Sequence, residues 1–158
     1  MTWMDGRSYV GSFVDNRREG HGLCIQKNGK KYEGQWVDGK PHGKGVEHWP
    51  DGKKYEGDFS NGEKHGQGFL TYPEGRTYKG GFKHGKKDGM GTETWRNGNE
   101  YSGKYTEGIK HGEGIFKFND GSEYDGELKE GERHGKGKLS WPDGKKYAGE
   151  FEEGKING

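Results

Sequence analysis

The sequence KYEGQWVDGKPHGKGVEHW, residues 31–49, determines the fold of this chain. Apolar and polar residues alternate over residues 31–36, so the aromatic and glycine residues lie on one face of a predicted β-strand. Residues 38–43 are rich in the turn formers Gly and Pro, and alternation resumes over residues 43–49. The stretch therefore predicts a β-hairpin with a broad turn over residues 38–43. Outward from it, the Pro-Asp-Gly sequence at 50–52 predicts a second, tight turn, because Pro presets φ and Gly supplies a positive φ.

The same pattern recurs every 23 residues along the chain. We number register positions from the tyrosine of each unit, which is position 0. Thirty-three of the 34 glycines occupy positions 2, 7, 11, 13 and 20, and 19 of the 21 aromatic residues occupy positions 0, 4 and 17. A disordered chain has no reason to keep such a register, so the low hydrophobic content of 24% does not indicate disorder. The position-0 residues are Tyr9, Tyr32, Tyr55, Tyr78, Tyr101, Tyr124 and Tyr147.

Seven consecutive hairpins predict an all-β protein: an elongated single-layer antiparallel meander, twisted or curved, with no helix. We expect one array over residues 1–158, with an incomplete last repeat. Glycine inside a strand is normally unfavourable. Its recurrence beside aromatic residues predicts that a ring from a neighbouring strand lies over the backbone where Cβ is missing, and that rings stack between units in place of a conventional core. The structural glycines assigned in this way are Gly34, Gly43, Gly45, Gly57, Gly66 and Gly68.

Charge and cysteine content exclude several classes of function. The chain has 27 Lys and Arg against 26 Asp and Glu, so there is no basic excess to neutralise nucleic-acid phosphates or to coat an anionic bilayer. Cys24 is the single cysteine, which excludes an internal disulfide and indicates a reducing compartment. No apolar run approaches the roughly 20 residues of a membrane span. We therefore predict a cytoplasmic protein with no nucleic-acid partner.

Residues 54–68, KYEGDFSNGEKHGQG, follow the pattern Tyr-x-Gly-x-Trp/Phe-x-x-Gly-x-x-His-Gly-x-Gly and resemble the MORN repeat (membrane occupation and recognition nexus). The resemblance covers essentially the whole chain. It implies a fold and a binding role more than one function. MORN arrays occur in membrane-tethering junctophilins, plant phosphatidylinositol phosphate kinases, radial-spoke proteins of cilia and cytoskeletal scaffolds of protozoan parasites, and in retinophilin-like proteins the sheet grips a myosin-tail peptide. The small departures from the pattern are Asn16, Glu19, Asp88 and Leu128.

Histidines recur at position 10 and raise the question of a metal site. Equivalent atoms of adjacent units lie roughly 10 Å apart, whereas ligands of one tetrahedral zinc are under about 4 Å apart. We therefore predict turn-stabilising hydrogen bonds, no metal and no cofactor. Zinc shared between two chains through His21 and Cys24 stays open as an alternative. The position-10 histidines are His42, His65, His111 and His134.

The aromatic face is the candidate binding site. A single-layer sheet leaves this face uncovered, and three aromatic residues per unit would form a large exposed apolar strip. A groove along such a strip suits an extended or helical peptide. The opposite face carries mixed charge, typical of solvated cross-strand ion pairs. The candidate partner-binding residues are Tyr32, Trp36, Trp49, Tyr55, Phe59, Tyr72, Tyr78, Phe82, Trp95 and Tyr101.

The leading functional hypothesis is a non-catalytic scaffold that binds a protein or peptide partner along this aromatic groove, with a cytoskeletal or ciliary association. One alternative is a peripheral membrane tether that recognises anionic phospholipids or phosphoinositides. A second alternative is the regulatory region of a larger enzyme such as a lipid kinase. Both ends of the array lack a capping unit. We therefore expect either a homo-oligomer, joined end to end or side by side, or a piece of a longer protein.

Overall fold

The computed structural model describes residues 1–157, which form β-strands joined by short turns and no helix. The strand order of the antiparallel sheet is the order of the strands in the chain, which confirms the predicted all-β meander. No helix of the described residues is long and apolar enough to cross a membrane. The strands are β1 Ser8–Val14, β2 Arg17–Ile25, β3 Lys31–Val37, β4 Lys40–His48, β5 Lys54–Ser60, β6 Glu63–Thr71, β7 Thr77–Lys83, β8 Lys86–Thr94, β9 Glu100–Thr106, β10 Ile109–Lys117, β11 Glu123–Lys129, β12 Glu132–Ser140, β13 Lys146–Glu152 and β14 Lys155–Asn157.

The hairpin turn inside each repeat is shorter than the sequence predicted. Only Asp38 and Gly39 separate β3 from β4, with φ values of 50° and 77°. Two-residue loops with positive φ at both residues match the right-handed twist of the flanking strands, so the broad turn predicted over residues 38–43 is wrong. Its remaining residues belong to β4, and the positive φ of 78° at Gly43 accompanies an irregularity in the pairing of β3 with β4.

The turn between successive repeats agrees with the sequence. The amide of Gly52 donates a hydrogen bond to the carbonyl of Trp49 at 3.0 Å, and Gly52 has a φ of 94°. The predicted turn over residues 50–52 is therefore confirmed. Trp49 itself lies just after β4, so position 17 marks the turn rather than the strand.

The chain divides into two compact units. Unit 1 comprises residues 1–74 and 82–85, and unit 2 comprises residues 75–81 and 86–157. In both units the repeat tyrosines lie on one face of the sheet, which we call the inner face. All of the buried aromatic side chains belong to positions 0 and 4 of the repeat. The core of each unit is therefore a single layer of rings on the inner face.

Each buried tyrosine lies over two strand glycines. The Tyr32 ring covers Gly34 and Gly45, which pair with each other across β3 and β4, and a Cβ added to Gly45 would overlap the ring. The Tyr32 hydroxyl donates a hydrogen bond to the carbonyl of Gln35 at 2.8 Å. The predicted steric role of strand glycine is confirmed here and at the equivalent pair Gly57 and Gly68.

Two of the assigned glycines have a different role. Gly43 and Gly66 do not lie under a tyrosine; their φ values are 78° and 96°, a conformation that favours glycine. The steric explanation predicted for these two positions is therefore wrong, and their structural role comes from the backbone conformation of the irregular strand pairing.

Rings of neighbouring repeats interlock along the inner face. The Tyr32 ring lies 5.0 Å from Trp36 and 4.9 Å from Phe59, between centroids, with both pairs nearly perpendicular. Tyr55 bridges Phe59 and Phe82 in the same way. The predicted contacts between repeats are confirmed within each unit, but the rings meet edge to face rather than stacked, an arrangement that aromatic quadrupoles favour. We call this arrangement the tyrosine ladder.

Candidate functional site

The predicted aromatic strip is not exposed. Tyr32, Trp36, Tyr55 and Phe59 retain 5%, 3%, 0% and 3% of their accessible surface. The prediction of an exposed apolar strip is therefore wrong, because perpendicular neighbours and overlying cations cover the rings. The partner-binding role of these residues stays a prediction. The other buried members of the predicted set are Tyr78, Phe82 and Tyr101, and its half-buried members are Trp49, Tyr72 and Trp95.

Burial of the ladder also changes its acid–base chemistry. Desolvation raises the pKa of Tyr101 to about 12 and raises the pKa values of Tyr32 and Tyr55 further. These phenols therefore stay neutral at physiological pH. Their hydroxyls act as hydrogen-bond donors to the backbone carbonyls three residues on.

Cations at register position 9 cover the rings. In unit 1 the Arg18 guanidinium lies 4.4 Å from the Trp36 ring centroid. The Lys64 ammonium lies 4.8 Å from the Trp49 ring and 5.2 Å from the Tyr55 ring. These distances are within the range of cation–π attraction. A second row of cations, two residues before the tyrosine in five of the seven repeats, reaches the same face: Lys30 and Lys53 lie 5.0 Å and 4.7 Å from the Trp49 ring.

A buried carboxylate at position 15 anchors the cations in each unit. In unit 1, Glu47 forms ion pairs with Lys30 at 3.2 Å and Lys64 at 3.4 Å. Burial lowers the pKa of Lys64, and the charge of Glu47 opposes that effect. Lys64 is therefore held against the rings by both a carboxylate and aromatic faces.

Glu93 plays the same part in unit 2. Its side chain is 1% exposed and pairs with Arg76 at 3.0 Å and Lys110 at 3.2 Å, while the Tyr105 hydroxyl donates to it at 2.6 Å. Burial by itself would raise the pKa of Glu93, but the Tyr105 hydrogen bond and the charges of Lys87 and Lys110 lower it below the usual value. Glu93 is thus an ionised carboxylate in the core of unit 2.

The inner face is consequently positive although the whole chain is nearly neutral. Four cations face one carboxylate in unit 1, and four face one in unit 2. A net charge near zero hides this separation, because most acidic residues lie on the other face and in the turns. Sequence reasoning missed it, yet the signal is present as Lys or Arg at two fixed distances from the tyrosines. The inner cations are Arg18, Lys30, Lys53 and Lys64 in unit 1, and Arg76, Lys87, Lys110 and Arg133 in unit 2.

Unit 1 contains a cavity of about 850 Å³ on the inner face. It lies where two register positions depart from the other repeats, Gln26 at position 17 and Pro41 at position 9, and where Cys24 occupies position 15, which varies between repeats. Position 17 otherwise carries an aromatic ring, and position 9 carries Lys or Arg in every other repeat up to the sixth. The side chains that would cover the ladder are therefore absent at this point. The full lining is Asp5, Arg7, Arg18, Cys24, Gln26, Lys27, Asn28, Lys30, Tyr32, Trp36, Pro41, Glu47 and Gly62.

The cavity combines a buried apolar base with polar sides. Cys24, Tyr32 and Trp36 are buried, and the Trp36 indole donates to the carbonyl of Gly22 at 2.9 Å. Arg18 donates to the carbonyl of Gly39 at 2.8 Å and lies 3.7 Å from the Cys24 sulfur. Rigid aromatic walls with a few placed polar groups are typical of ligand sites. Of the predicted partner-binding residues, Tyr32 and Trp36 line this cavity.

The histidines take part in local contacts. His42 accepts a hydrogen bond from the backbone amide of Asn61 at 3.4 Å, in the turn of the next repeat, which confirms the turn-stabilising role for His42. The His65 ring lies 5.7 Å from the His84 ring. Residues 1–157 contain no cluster of three or more His, Cys, Asp or Glu side chains that could hold a metal ion.

These features define the chain as a β-hairpin repeat protein. The chain belongs to the MORN-repeat family, whose family model matches residues 9–31, 32–54, 55–75, 78–100, 101–123, 124–146 and 147–158. No curated protein sequence matches the chain.

Among solved structures, the TCP domain of Drosophila melanogaster SAS-4, in complex with a proline-rich motif of Ana2, is similar over 90% of this chain and 89% of its own. The sequence identity is 14% and the TM-score is 0.52, so the similarity shows a shared fold. The TCP10 domain of Danio rerio CPAP matches 94% of this chain and 81% of its own with 14% identity and a TM-score of 0.31.

Proposed function

We propose that this chain is a non-catalytic scaffold that binds a peptide segment of a partner protein in the cavity of unit 1. The observation that carries the proposal is that two departures from the repeat pattern, Gln26 and Pro41, meet at one cavity beside Cys24. Random variation would leave such departures scattered along the array. Their convergence on a single opening over the ladder is what a dedicated site requires.

The size and lining of the cavity support a peptide as the ligand. A volume of about 850 Å³ accommodates several residues of an extended chain. Arg18 and Gln26 in the lining offer polar groups, and Tyr32 and Trp36 offer an apolar base. The SAS-4 TCP domain, which shares this fold, is itself in complex with a proline-rich motif. That partner belongs to SAS-4; for this chain we propose the class of ligand, a peptide.

We place this scaffold in the cytoplasm, in association with the cytoskeleton or a cilium, because MORN arrays occur in proteins of those structures. The membrane tether and the regulatory region of a larger enzyme remain alternatives that the experiment below addresses in part. Either alternative would be favoured by a ligand other than a peptide in this cavity.

The test is selection of peptides from a displayed library of random 12-residue sequences against the immobilised full chain. We expect enriched sequences that bind the wild-type protein and fail to bind the variant C24L/Q26W. This variant restores the residue types that other repeats carry at positions 15 and 17, so it fills the cavity while retaining the ladder.

A matched control is Gln67→Trp, the same substitution at an exposed residue outside the cavity. Binding should survive in Q67W. Enrichment of peptides that bind C24L/Q26W as well as the wild type would reject this cavity as the site. Absence of any enriched sequence would reject the peptide-binding function.

A further inference from the structure

The charges that line the cavity of unit 1 are unevenly matched. Asp5 pairs with Arg7 at 2.7 Å, and Glu47 pairs with Lys30 at 3.2 Å. Within residues 1–157, no carboxylate forms an ion pair with the two remaining cations of the lining, Arg18 and Lys27. Glu47 must in addition neutralise Lys64. The cavity therefore carries an excess of positive charge.

Arg18 is the best placed of these cations. Its guanidinium is held by a hydrogen bond to the carbonyl of Gly39 at 2.8 Å and by the face of Trp36 at 4.4 Å. The neighbouring Nη1 atom faces the Cys24 sulfur at 3.7 Å, and a thiol sulfur is a weak acceptor. The Nη1 group of an ordered guanidinium thus borders the cavity with only a weak acceptor among the described residues.

Two lysines of the same register differ from Arg18 in this respect. Lys64 and Lys110 are neutralised by the buried carboxylates Glu47 and Glu93. Each of these carboxylates lies 17 residues before its lysine, whereas the residue 17 positions before Arg18 is Met1, and position 15 of its own repeat is Cys24. Neither position therefore carries a carboxylate that could pair with Arg18.

We infer that the peptide bound in this cavity is acidic and that one of its Asp or Glu side chains pairs with Arg18. This inference rests on the peptide-binding function proposed above and specifies the chemistry of the partner. A carboxylate matches the planar fork of a guanidinium, and the charge-assisted hydrogen bonds form against an arginine that is already ordered. Lys27 and Lys30 at the rim attract neighbouring acidic residues and raise the association rate.

The experiment uses the peptides selected from the random library together with two variants of the full chain. We expect the selected sequences to be enriched in Asp and Glu, and Arg18→Gln to lower their affinity about tenfold or more. Arg133→Gln is the matched control. Arg133 occupies position 9 in unit 2, donates an equivalent hydrogen bond to Gly154 at 2.7 Å and lies over the rings of Tyr124 and Phe151, but it lies outside the cavity of unit 1. R133Q should bind the acidic peptides as the wild type does.

The outcomes separate this inference from the proposed function. Selected peptides that are neutral or basic, with affinity unchanged in R18Q, would overturn the acidic partner while supporting peptide binding. A failure to select any peptide would overturn both. Vesicles of phosphatidylcholine with phosphatidylserine form a further arm: saturable binding that depends on Arg18 and is not displaced by an acidic peptide would overturn the inference in favour of a lipid surface.

Discussion

Residues 24, 26 and 41 of unit 1 correspond, four repeats further along the chain, to residues 116, 118 and 133 of unit 2. In unit 1 these are Cys, Gln and Pro, and a cavity of about 850 Å³ lies over the ladder. In unit 2 they are Phe, Phe and Arg. The Phe116 and Phe118 rings stack at 5.7 Å, and Phe116 also contacts Tyr101 at 4.8 Å. At these register positions rings cover the ladder in unit 2, whereas the ladder of unit 1 is open.

The difference shows which register positions maintain the fold and which can vary between repeats. Positions 0 and 4 build the tyrosine ladder, and positions 2 and 13 build its glycine base, in both units. Positions 9, 15 and 17 lie above the ladder and can vary without interrupting it. Leu128, which replaces a ring at position 4, is the one buried break in the ladder, and Phe116 supplies additional aromatic contact nearby in unit 2. A repeat protein can therefore acquire a site by losing its covering side chains.

The largest expected loss of stability comes from neutralising the buried carboxylate of each unit, Glu93 or Glu47. Glu93→Gln should lower the free energy of unfolding by about 3–5 kcal/mol, because it leaves a cluster of buried cations without their counter-charge while keeping an acceptor for Tyr105. Glu47→Gln should cost less, since Glu47 pairs with two lysines and is slightly more exposed. Urea unfolding measures both values. Equal losses would show that the two clusters are equivalent, and the exposed control Glu113→Gln should have little effect.

The second prediction imposes the residues of unit 1 on unit 2. The double substitution F116C/F118Q removes two stacked rings, and we expect it to destabilise the protein by about 2–4 kcal/mol, below the sum of two fully buried Phe truncations because both rings are half-buried. Thermal and urea unfolding measure the loss. A variant as stable as the wild type would mean that the covering rings contribute nothing to the ladder beneath them.

The third prediction concerns acid. Because the pKa of Glu93 is lowered in the folded protein, its stabilising contribution is complete above the ordinary value of 4.5. That contribution is lost progressively as the pH falls through the lower folded-state pKa. The free energy of unfolding of the wild type should therefore decrease below about pH 4.5 more steeply than that of E93Q. Parallel curves for the two proteins, measured by urea unfolding at a series of pH values, would contradict the assignment.

The smallest expected effect on stability comes from partly filling the cavity of unit 1. Cys24→Leu introduces leucine at position 15, where unit 2 carries the buried Leu139. We expect stabilisation of about 0.5–1 kcal/mol. The reciprocal variant Leu139→Cys should be less stable than the wild type. Calorimetry of the pair measures both shifts, and destabilisation by C24L would show that unit 1 is already packed around its thiol.

The fold was accessible from the sequence because its determinants recur at fixed intervals. Tyr32, Gly34 and Gly45 stand at positions that repeat throughout the chain, so their role could be inferred before the structure. The burial of the rings could not be inferred, because it depends on perpendicular packing and on cations such as Lys64 that reach over Trp49 from another strand. The limits of the hairpin turn could not be inferred either, because a positive φ at the non-glycine residue Asp38 shortens the loop.

The candidate site was accessible only in part. Tyr32 and Trp36 were predicted as binding residues and line the cavity. Arg18 was missed because a balanced total charge hides the sorting of charge between the two faces. The departures at residues 26 and 41 were visible in the register, but they lie 15 residues apart in sequence, and only strand pairing brings them together.

Within each unit, every strand pairs with the strand next to it in the chain, and this has a consequence for the speed of folding. Residues paired across β1 and β2 are at most 17 positions apart, as for Ser8 and Ile25. Loop-closure entropy is therefore small for each contact, and any hairpin can serve as the nucleus for its neighbours. We expect this all-β chain to fold faster than β-sandwiches of similar length, whose strands wait for partners from distant parts of the sequence.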